Sequence, residues 1–149
     1  MTETHQYCTF YAAGHYFGLD VMHVQEIICY QEMTRVPLAP PVVRGLINLR
    51  GQIVTALDLR RRLDLPDRPC DQLPINVVVQ TDDGAVSLLV DEIGDVLEVP
   101  ETDFERPPDT LTGPASDLIL GAYKLPHSLL LILNTAKTVN IAAVVRVSP

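Results

Sequence analysis

The chain is poor in aromatic residues and lacks long apolar runs. Aromatic residues make up 5% of its 149 residues, and tryptophan is absent. Its core must therefore come from the aliphatic side chains, of which valine and isoleucine favour strands. An apolar run of the kind seen at 129–133 is far shorter than the ~20 residues that a membrane-spanning helix needs. We expect no direct membrane insertion.

An excess of basic residues is also missing. The formal net charge is −8, whereas a nucleic-acid-binding protein needs clustered Lys and Arg to replace counterions along the phosphates. The same excess of acidic residues disfavours a polybasic membrane-binding surface. The polar start, Met1 to Gln6, shows no apolar signal segment, so we expect a cytoplasmic protein.

Residue patterns typical of catalysis or of metal binding are lacking. Cys8, Cys29 and Cys70 are widely spaced and form no C-x-x-C pair. No G-x-S-x-G, H-E-x-x-H or P-loop motif occurs. We therefore predict no catalytic residues, no metal site and no cofactor, and a protein that is not an enzyme.

Short strand patterns, separated by turns, fill most of the chain. We predict nine or ten strands and no helix longer than three turns, which is typical of barrels or sandwiches. Turn sequences predict hairpins at Arg50-Gly51, Asp82-Asp83-Gly84 and Pro126-His127. Pro41 is expected to begin a short helical turn that Gly45 ends. Asn134 is expected to cap a last helical turn.

Arginines are concentrated in the middle of the chain. Six of the eleven basic residues lie within 25 positions: Arg44, Arg50, Arg60, Arg61, Arg62 and Arg68. The run at 60–62 is most simply the solvated face of a short helix. Arg50 lies at a predicted hairpin tip between two apolar runs, where it is either an ordinary exposed turn residue or a planar donor for a partner's carboxylate or carbonyl.

Several short motifs occur together in one order. They are Val24-Gln25-Glu26-Ile27, Thr34-Arg35-Val36-Pro37, Val43-Arg44-Gly45, Asn48-Leu49-Arg50-Gly51, Ile53-Val54, Asp58-Leu59-Arg60 and the later Val90-Asp91-Glu92-Ile93-Gly94-Asp95-Val96. This ordered set resembles the CheW family of chemotaxis coupling proteins, from about Gln6 to Val139. The sequence departs from the family pattern at Thr55, where the family usually has proline.

The resemblance implies an all-β fold of two small five-stranded β-barrel lobes packed together, with a few short helical turns, in a single CheW-like domain over 1–149. It implies a non-catalytic adaptor that couples the cytoplasmic tip of a chemoreceptor to the regulatory domain of the histidine kinase CheA. Such an adaptor would be cytoplasmic and recruited to membrane receptor arrays.

The resemblance also carries over four partner-binding positions: Val24, Glu26, Gly45 and Arg50. Val24 would supply apolar area, Gly45 would allow close approach of the chains, and Glu26 and Arg50 would fix orientation through polar contacts. A core role for Val24 and a purely local turn role for Gly45 remain open at this point. Other open functions are an adaptor of a non-flagellar system such as pilus motility, and a small β-barrel ligand-binding module or enzyme.

Overall fold

Ten strands and three short α-helices form the chain, in a computed structural model that describes residues 3–82 and 84–140. The strands are β1 Thr4–Ala12, β2 His15–Asp20, β3 Val24–Ile28, β4 Val43–Leu49, β5 Gln52–Asp58, β6 Ile75–Thr81, β7 Gly84–Val90, β8 Glu92–Pro100, β9 Ile119–Lys124 and β10 Leu129–Leu133. The helices are α1 Leu59–Arg62, α2 Pro114–Leu118 and α3 Thr135–Thr138, and single 3-10 turns follow β2 and β8.

The strands are divided between two five-stranded sheets. One sheet has the order β3-β6-β7-β5-β4, and we call it, with α1, the central lobe. The other has the order β8-β1-β2-β10-β9 and combines strands from both parts of the chain; with α2 and α3 it is the terminal lobe. The predicted all-β class with two five-stranded lobes and short helical turns is confirmed.

The main hydrophobic core draws on both lobes. Phe10, Phe17 and Leu131 of the terminal lobe share one buried cluster with Val77 and Leu88 of the central lobe. These side chains come from strands in which one face is apolar, so burying that face against the other lobe removes it from water. The lobes are therefore held together mainly by packing of apolar side chains.

A short backbone bridge brings the two edges of each sheet together. In the central lobe, Thr34 follows the edge strand β3 and exchanges two hydrogen bonds of 2.8 Å with Leu46 of the opposite edge strand β4. In the terminal lobe, Glu105 does the same with Ala122 of β9, at 2.8 and 2.9 Å. Each bridge partly covers a strand edge that would otherwise expose unpaired backbone groups.

The expected helical turn at Pro41 is wrong. Val43 already begins β4, and Gly45 lies inside that strand opposite Ala56. A Cβ at Gly45 would lie 2.7 Å from the Thr34 carbonyl oxygen, so only glycine allows the bridge to Leu46 to form. Two successive β-branched valines and a paired neighbour in β5 favour the extended conformation over the helical one.

The expected solvated arginine face at 60–62 is also wrong. Arg60 is buried, and Arg62 donates to the Lys137 and Thr138 carbonyls at the end of α3. Arg61 remains half-buried and pairs with Asp67 at 3.1 Å. Asp91, which binds Arg60, and the α3 carbonyls that bind Arg62 lie 31 or more positions away, so the local sequence pattern could not indicate these contacts.

Asp91 joins the two lobes at the point where β7 passes into β8. Its carboxylate accepts hydrogen bonds from Arg60, from Arg68 and from the Ala13 N–H in the turn between β1 and β2. Burial alone would raise the pKa of Asp91, but the hydrogen bonds from Arg60, Ala13 and Arg68 outweigh it and hold that pKa below its ordinary value. Asp91 therefore stays ionised and ties the central lobe to the terminal one.

None of the helices in the described part of the chain has the length and apolar content that crossing a membrane requires.

Candidate partner-binding site

The hairpin between β4 and β5 ends in a tight turn centred on Arg50 and Gly51. Both residues have positive φ, of 52° and 85°, as a type I′ turn requires. The Asn48 side chain accepts a hydrogen bond from the Gly51 N–H at 2.9 Å and so fixes the turn. The predicted hairpin is confirmed, and the four residues Asn48 to Gly51 act together to present Arg50 at its tip.

Two of the four predicted site residues meet in a bidentate ion pair. Arg50 donates from Nη1 to Glu26 Oε2 at 2.6 Å and from Nη2 to Glu26 Oε1 at 2.8 Å. Glu26 lies on β3 and Arg50 follows β4, the two edge strands of the central lobe. The pair therefore links the two edges of this sheet at a second place besides the Thr34–Leu46 bridge.

This ion pair orients Arg50 but leaves some of its N–H groups free to donate. The Arg50 side chain is 72% exposed, against 18% for Glu26. A guanidinium has five N–H groups, and Glu26 takes only one from each terminal nitrogen, so the remaining N–H groups stay available to a partner. A planar donor that is already held in one orientation loses less conformational freedom when it binds.

The pair also controls the ionisation of Glu26. The hydrogen bond and the positive charge of Arg50 lower the pKa of Glu26 below its ordinary value. Glu26 in turn raises the pKa of Arg50. Both groups therefore remain charged near neutral pH.

Val24 and Gly45, the other two predicted residues, lie in different surroundings. Val24 is half-buried and packs against the main core, opposite Val79 of β6. Gly45 is buried, and the close approach it permits is to Met33 and Thr34 of its own chain. Gly45 could affect a partner through the packing of the central lobe, whereas the side chain of Val24 keeps some exposed surface. The role of both residues in partner binding stays a prediction.

Sequence reasoning missed an exposed apolar residue beside the turn. Ile53 lies opposite Asn48 in the hairpin and is 65% exposed. Its neighbours Val54 and Ala56 are buried. Because side chains of a strand alternate between its faces, burial of Val54 and Ala56 directs Ile53 outward, and the alternation could have revealed it. Arg50 and Ile53 together offer a charged donor and an apolar contact at one hairpin end.

Metal-binding chemistry is not supported in the described part of the chain. No group of three or more His, Cys, Asp or Glu residues lies close enough together there to hold an ion. The hairpin end instead combines one oriented arginine, one exposed isoleucine and a tight turn fixed by Asn48.

Comparisons with known proteins agree with this description. The family model described as the CheW-like domain matches residues 6–143. The chain is 30% identical to the chemotaxis protein CheW of Treponema pallidum over 139 residues, covering 91% of this chain and 82% of that protein. It is 35% identical to the chemotaxis protein CheW of Bacillus subtilis over 100 residues, which covers 67% of this chain and 64% of that one.

A solved structure is also similar. The crystal structure of the scaffolding protein TtCheW from Thermoanaerobacter tengcongensis superposes with a TM-score of 0.79 at 25% sequence identity. The match covers 89% of this chain and 90% of that one.

Proposed function

The chain belongs to the CheW-like domain family of non-catalytic chemotaxis scaffolds, and we propose that it couples the cytoplasmic tips of chemoreceptors to the regulatory domain of the histidine kinase CheA. In that role it works in the cytoplasm and is recruited to receptor arrays at the membrane. The observation that carries the proposal is the Arg50–Glu26 pair at the tip of a rigid hairpin.

The surface around Arg50 suits a polar and apolar contact of modest size. Ile53 supplies apolar area, and Arg50 supplies directed donors to a carboxylate or a carbonyl of the partner. Arginine is common among the residues that dominate the binding energy of interfaces, and the buried centre of an interface is more apolar than its rim. The turn is already ordered, so binding there does not have to pay for ordering a loop.

A charge swap separates a direct role of Arg50 from a structural one. Three variants are compared with the wild type for binding to a receptor-tip fragment and to a CheA regulatory domain: Arg50→Glu, Glu26→Arg, and the double variant with both changes. The exposed Arg106 has no ion-pair partner in the described ranges, so Arg106→Glu is the matched control.

We expect Arg50→Glu to weaken binding to one partner by about tenfold or more. The double variant restores an ion pair but reverses the charge shown to the partner, and we expect it to remain defective. Full recovery of partner binding in the double variant would mean that Arg50 only stabilises the central lobe through its ion pair. Normal binding of both partners by Arg50→Glu would overturn the proposal.

A further inference from the structure

A second surface lies at the other end of β4. The segment between β3 and β4 borders a groove of about 660 Å³. Its walls include Tyr30, Val36, Leu38, Arg35, Arg44 and Arg61. Arg44 and Arg50 are six positions apart in the sequence, which at about 3.3 Å per residue along β4 places the two surfaces roughly 20 Å apart.

The apolar edge of the groove is unusually exposed. Leu38 has a relative exposure of 104%, and Val36 one of 38%. Leu38 also has a φ of +65°, a left-handed conformation that is unfavourable for leucine. The loop thus holds a large apolar side chain out in water at a conformational cost, which favours a binding role over an incidental position.

The loop that carries Leu38 is held in place on both sides. Thr34 is bridged to Leu46, Val43 donates to the Pro40 carbonyl at 2.9 Å, and Arg61 Nη1 donates to the Pro41 carbonyl at 2.8 Å. The prolines at 37, 40 and 41 restrict φ further. The groove is therefore preformed, which lowers the entropic cost of filling it.

The charge of the groove opposes that of the chain. Among the described residues that line it, three are arginines and none is acidic, in a chain with a formal net charge of −8. Arg44 pairs with Asp58 and Arg61 with Asp67. Arg35 is exposed and forms no ion pair within residues 3–82 and 84–140, so its charge is open to a ligand.

We propose that this groove docks an acidic protein segment carrying an apolar side chain, with the apolar group beside Leu38 and its carboxylates toward Arg35. Three arginines are too few for nucleic acid on so acidic a chain, since affinity there grows with the number of phosphates neutralised. A second copy of the chain would bring its own net negative charge and is disfavoured by repulsion. The inference rests on the groove alone and does not depend on the receptor–kinase role.

Three synthetic peptides probe the groove: glutamates around a central leucine, the same peptide with serine for leucine, and the leucine peptide with lysines for glutamates. Binding to the full chain is followed by NMR through the backbone amide shifts of the non-proline residues in 35–44. Arg35→Glu and Leu38→Asn are the test variants; asparagine tolerates the left-handed backbone, so Leu38→Asn removes the side chain without adding strain. Arg106→Glu and Leu73→Asn are the controls, since Leu73 is likewise exposed.

We expect the acidic leucine peptide to bind saturably at 35–44, the serine peptide to bind about fivefold more weakly, and the lysine peptide not to bind. Arg35→Glu should lose about tenfold in affinity for the acidic peptide and gain binding of the lysine peptide, while both controls behave as wild type. Absence of saturable binding, or equal binding by Arg35→Glu, would overturn the proposal. Self-association at high concentration that Leu38→Asn abolishes would make a second copy the occupant and also overturn it.

Discussion

The central lobe and the terminal lobe have the same strand order, although they are assembled from different parts of the chain. In the central lobe the edge strand β3 is followed along the chain by the hairpin β4-β5 and the four-residue helix α1. In the terminal lobe the edge strand β8 is followed by the hairpin β9-β10 and the four-residue helix α3. The second strand of each hairpin pairs in parallel with another strand of its sheet: β5 pairs with β7, and β10 pairs with β2. Residues 44–63 and 120–139 align without a gap.

The positions that the lobes share serve the fold. Gly45 and Gly121 both precede the bridged residue of the edge strand, and a Cβ at either would collide with the carbonyl oxygen across the bridge, at 2.7 and 2.5 Å. Asp58 and Asn134 both cap the following helix through a side-chain oxygen, at 3.0 Å in each case. In both lobes, therefore, a glycine allows the bridge between the sheet edges to form, and a side-chain cap begins the helix.

Two positions of the hairpin β4-β5 carry an arginine where the terminal lobe has an uncharged residue, whereas Asn48 corresponds to the charged Lys124, which pairs with Glu105 at 3.4 Å. Arg50 at the hairpin tip corresponds to Pro126, and Arg44, which pairs with Asp58 at 3.1 Å, corresponds to Leu120. The terminal lobe reaches the same topology without an arginine at either position, and its counterpart of the buried Asp58 is the uncharged Asn134. This difference between the lobes supports the binding roles that we propose for the charged hairpin and the arginine-lined groove.

The largest predicted effect comes from breaking the contact that joins the lobes. Asp91→Ala leaves Arg60 buried without its carboxylate and leaves Arg68 with only Asp58, 3.5 Å away, which should lower the free energy of unfolding by about 3–5 kcal/mol. Urea denaturation followed by circular dichroism measures the loss. Asp109→Ala, at an exposed position, is the control and should change stability by less than about 0.5 kcal/mol. A similar small loss in Asp91→Ala would contradict the joining role.

A smaller effect is expected from the glycines that both lobes share. Gly45→Ala and Gly121→Ala each push a methyl group into the backbone of the bridge, at Thr34 and Glu105, and should lower the free energy of unfolding by about 1–3 kcal/mol. For a domain of this size each 1 kcal/mol corresponds to about 2–4 °C in Tm. Gly14→Asn is the control, because nothing lies within 4 Å of a Cβ there and asparagine tolerates its positive φ. If Gly45→Ala melts like the control, the bridge does not require glycine.

Gly45→Asp adds a binding readout to the same position. We expect it to weaken pull-down of the receptor fragment or the CheA regulatory domain, because displacing Thr34 disturbs the central lobe on which both surfaces lie. Unchanged recovery of both partners would argue against any role of Gly45 in binding.

The smallest predicted effect is electrostatic and concerns the Arg50–Glu26 ion pair. The terminal lobe has no such pair at its hairpin tip, because Pro126 takes the place of Arg50. Arg50 lowers the pKa of Glu26 in the folded chain. The stabilisation from the pair is therefore fully present above the ordinary glutamate pKa and is lost as the pH falls through the lowered folded value. In Arg50→Gln, NMR titration of the Glu26 carboxyl should show its pKa rising toward the ordinary value. An unchanged pKa would mean that Arg50 does not hold this carboxylate in solution.

Local signals in the sequence predicted much of the fold. Alternation of apolar residues gave most strands, turn residues gave the hairpins at Arg50-Gly51 and Pro126-His127, and Asn134 was found as a helix cap. Of the hairpin predicted at Asp82-Asp83-Gly84, Asp83 lies outside the described residues. The equivalence of the lobes was not visible, because it rests on strand order more than on matching residues.

Long-range partners could not be predicted from local patterns. The pairing of Arg50 with Glu26 spans 24 positions, and that of Arg60 with Asp91 spans 31. For the same reason the arginines at 60–62 were expected on a solvated face, and Gly45 was expected to end a turn. The motif resemblance named Glu26 and Arg50 as site residues, but only the folded chain shows that they contact each other.

Kinase activity in a reconstituted complex of receptor, CheA and this chain tests the central claim most directly. With equal amounts of folded protein, confirmed by circular dichroism, Arg50→Glu should abolish the receptor-dependent increase in CheA autophosphorylation, and Arg106→Glu should preserve it. The Arg50→Glu chain should keep its fold, because Arg50 is exposed at a turn. Normal receptor-dependent activation by Arg50→Glu would contradict the account.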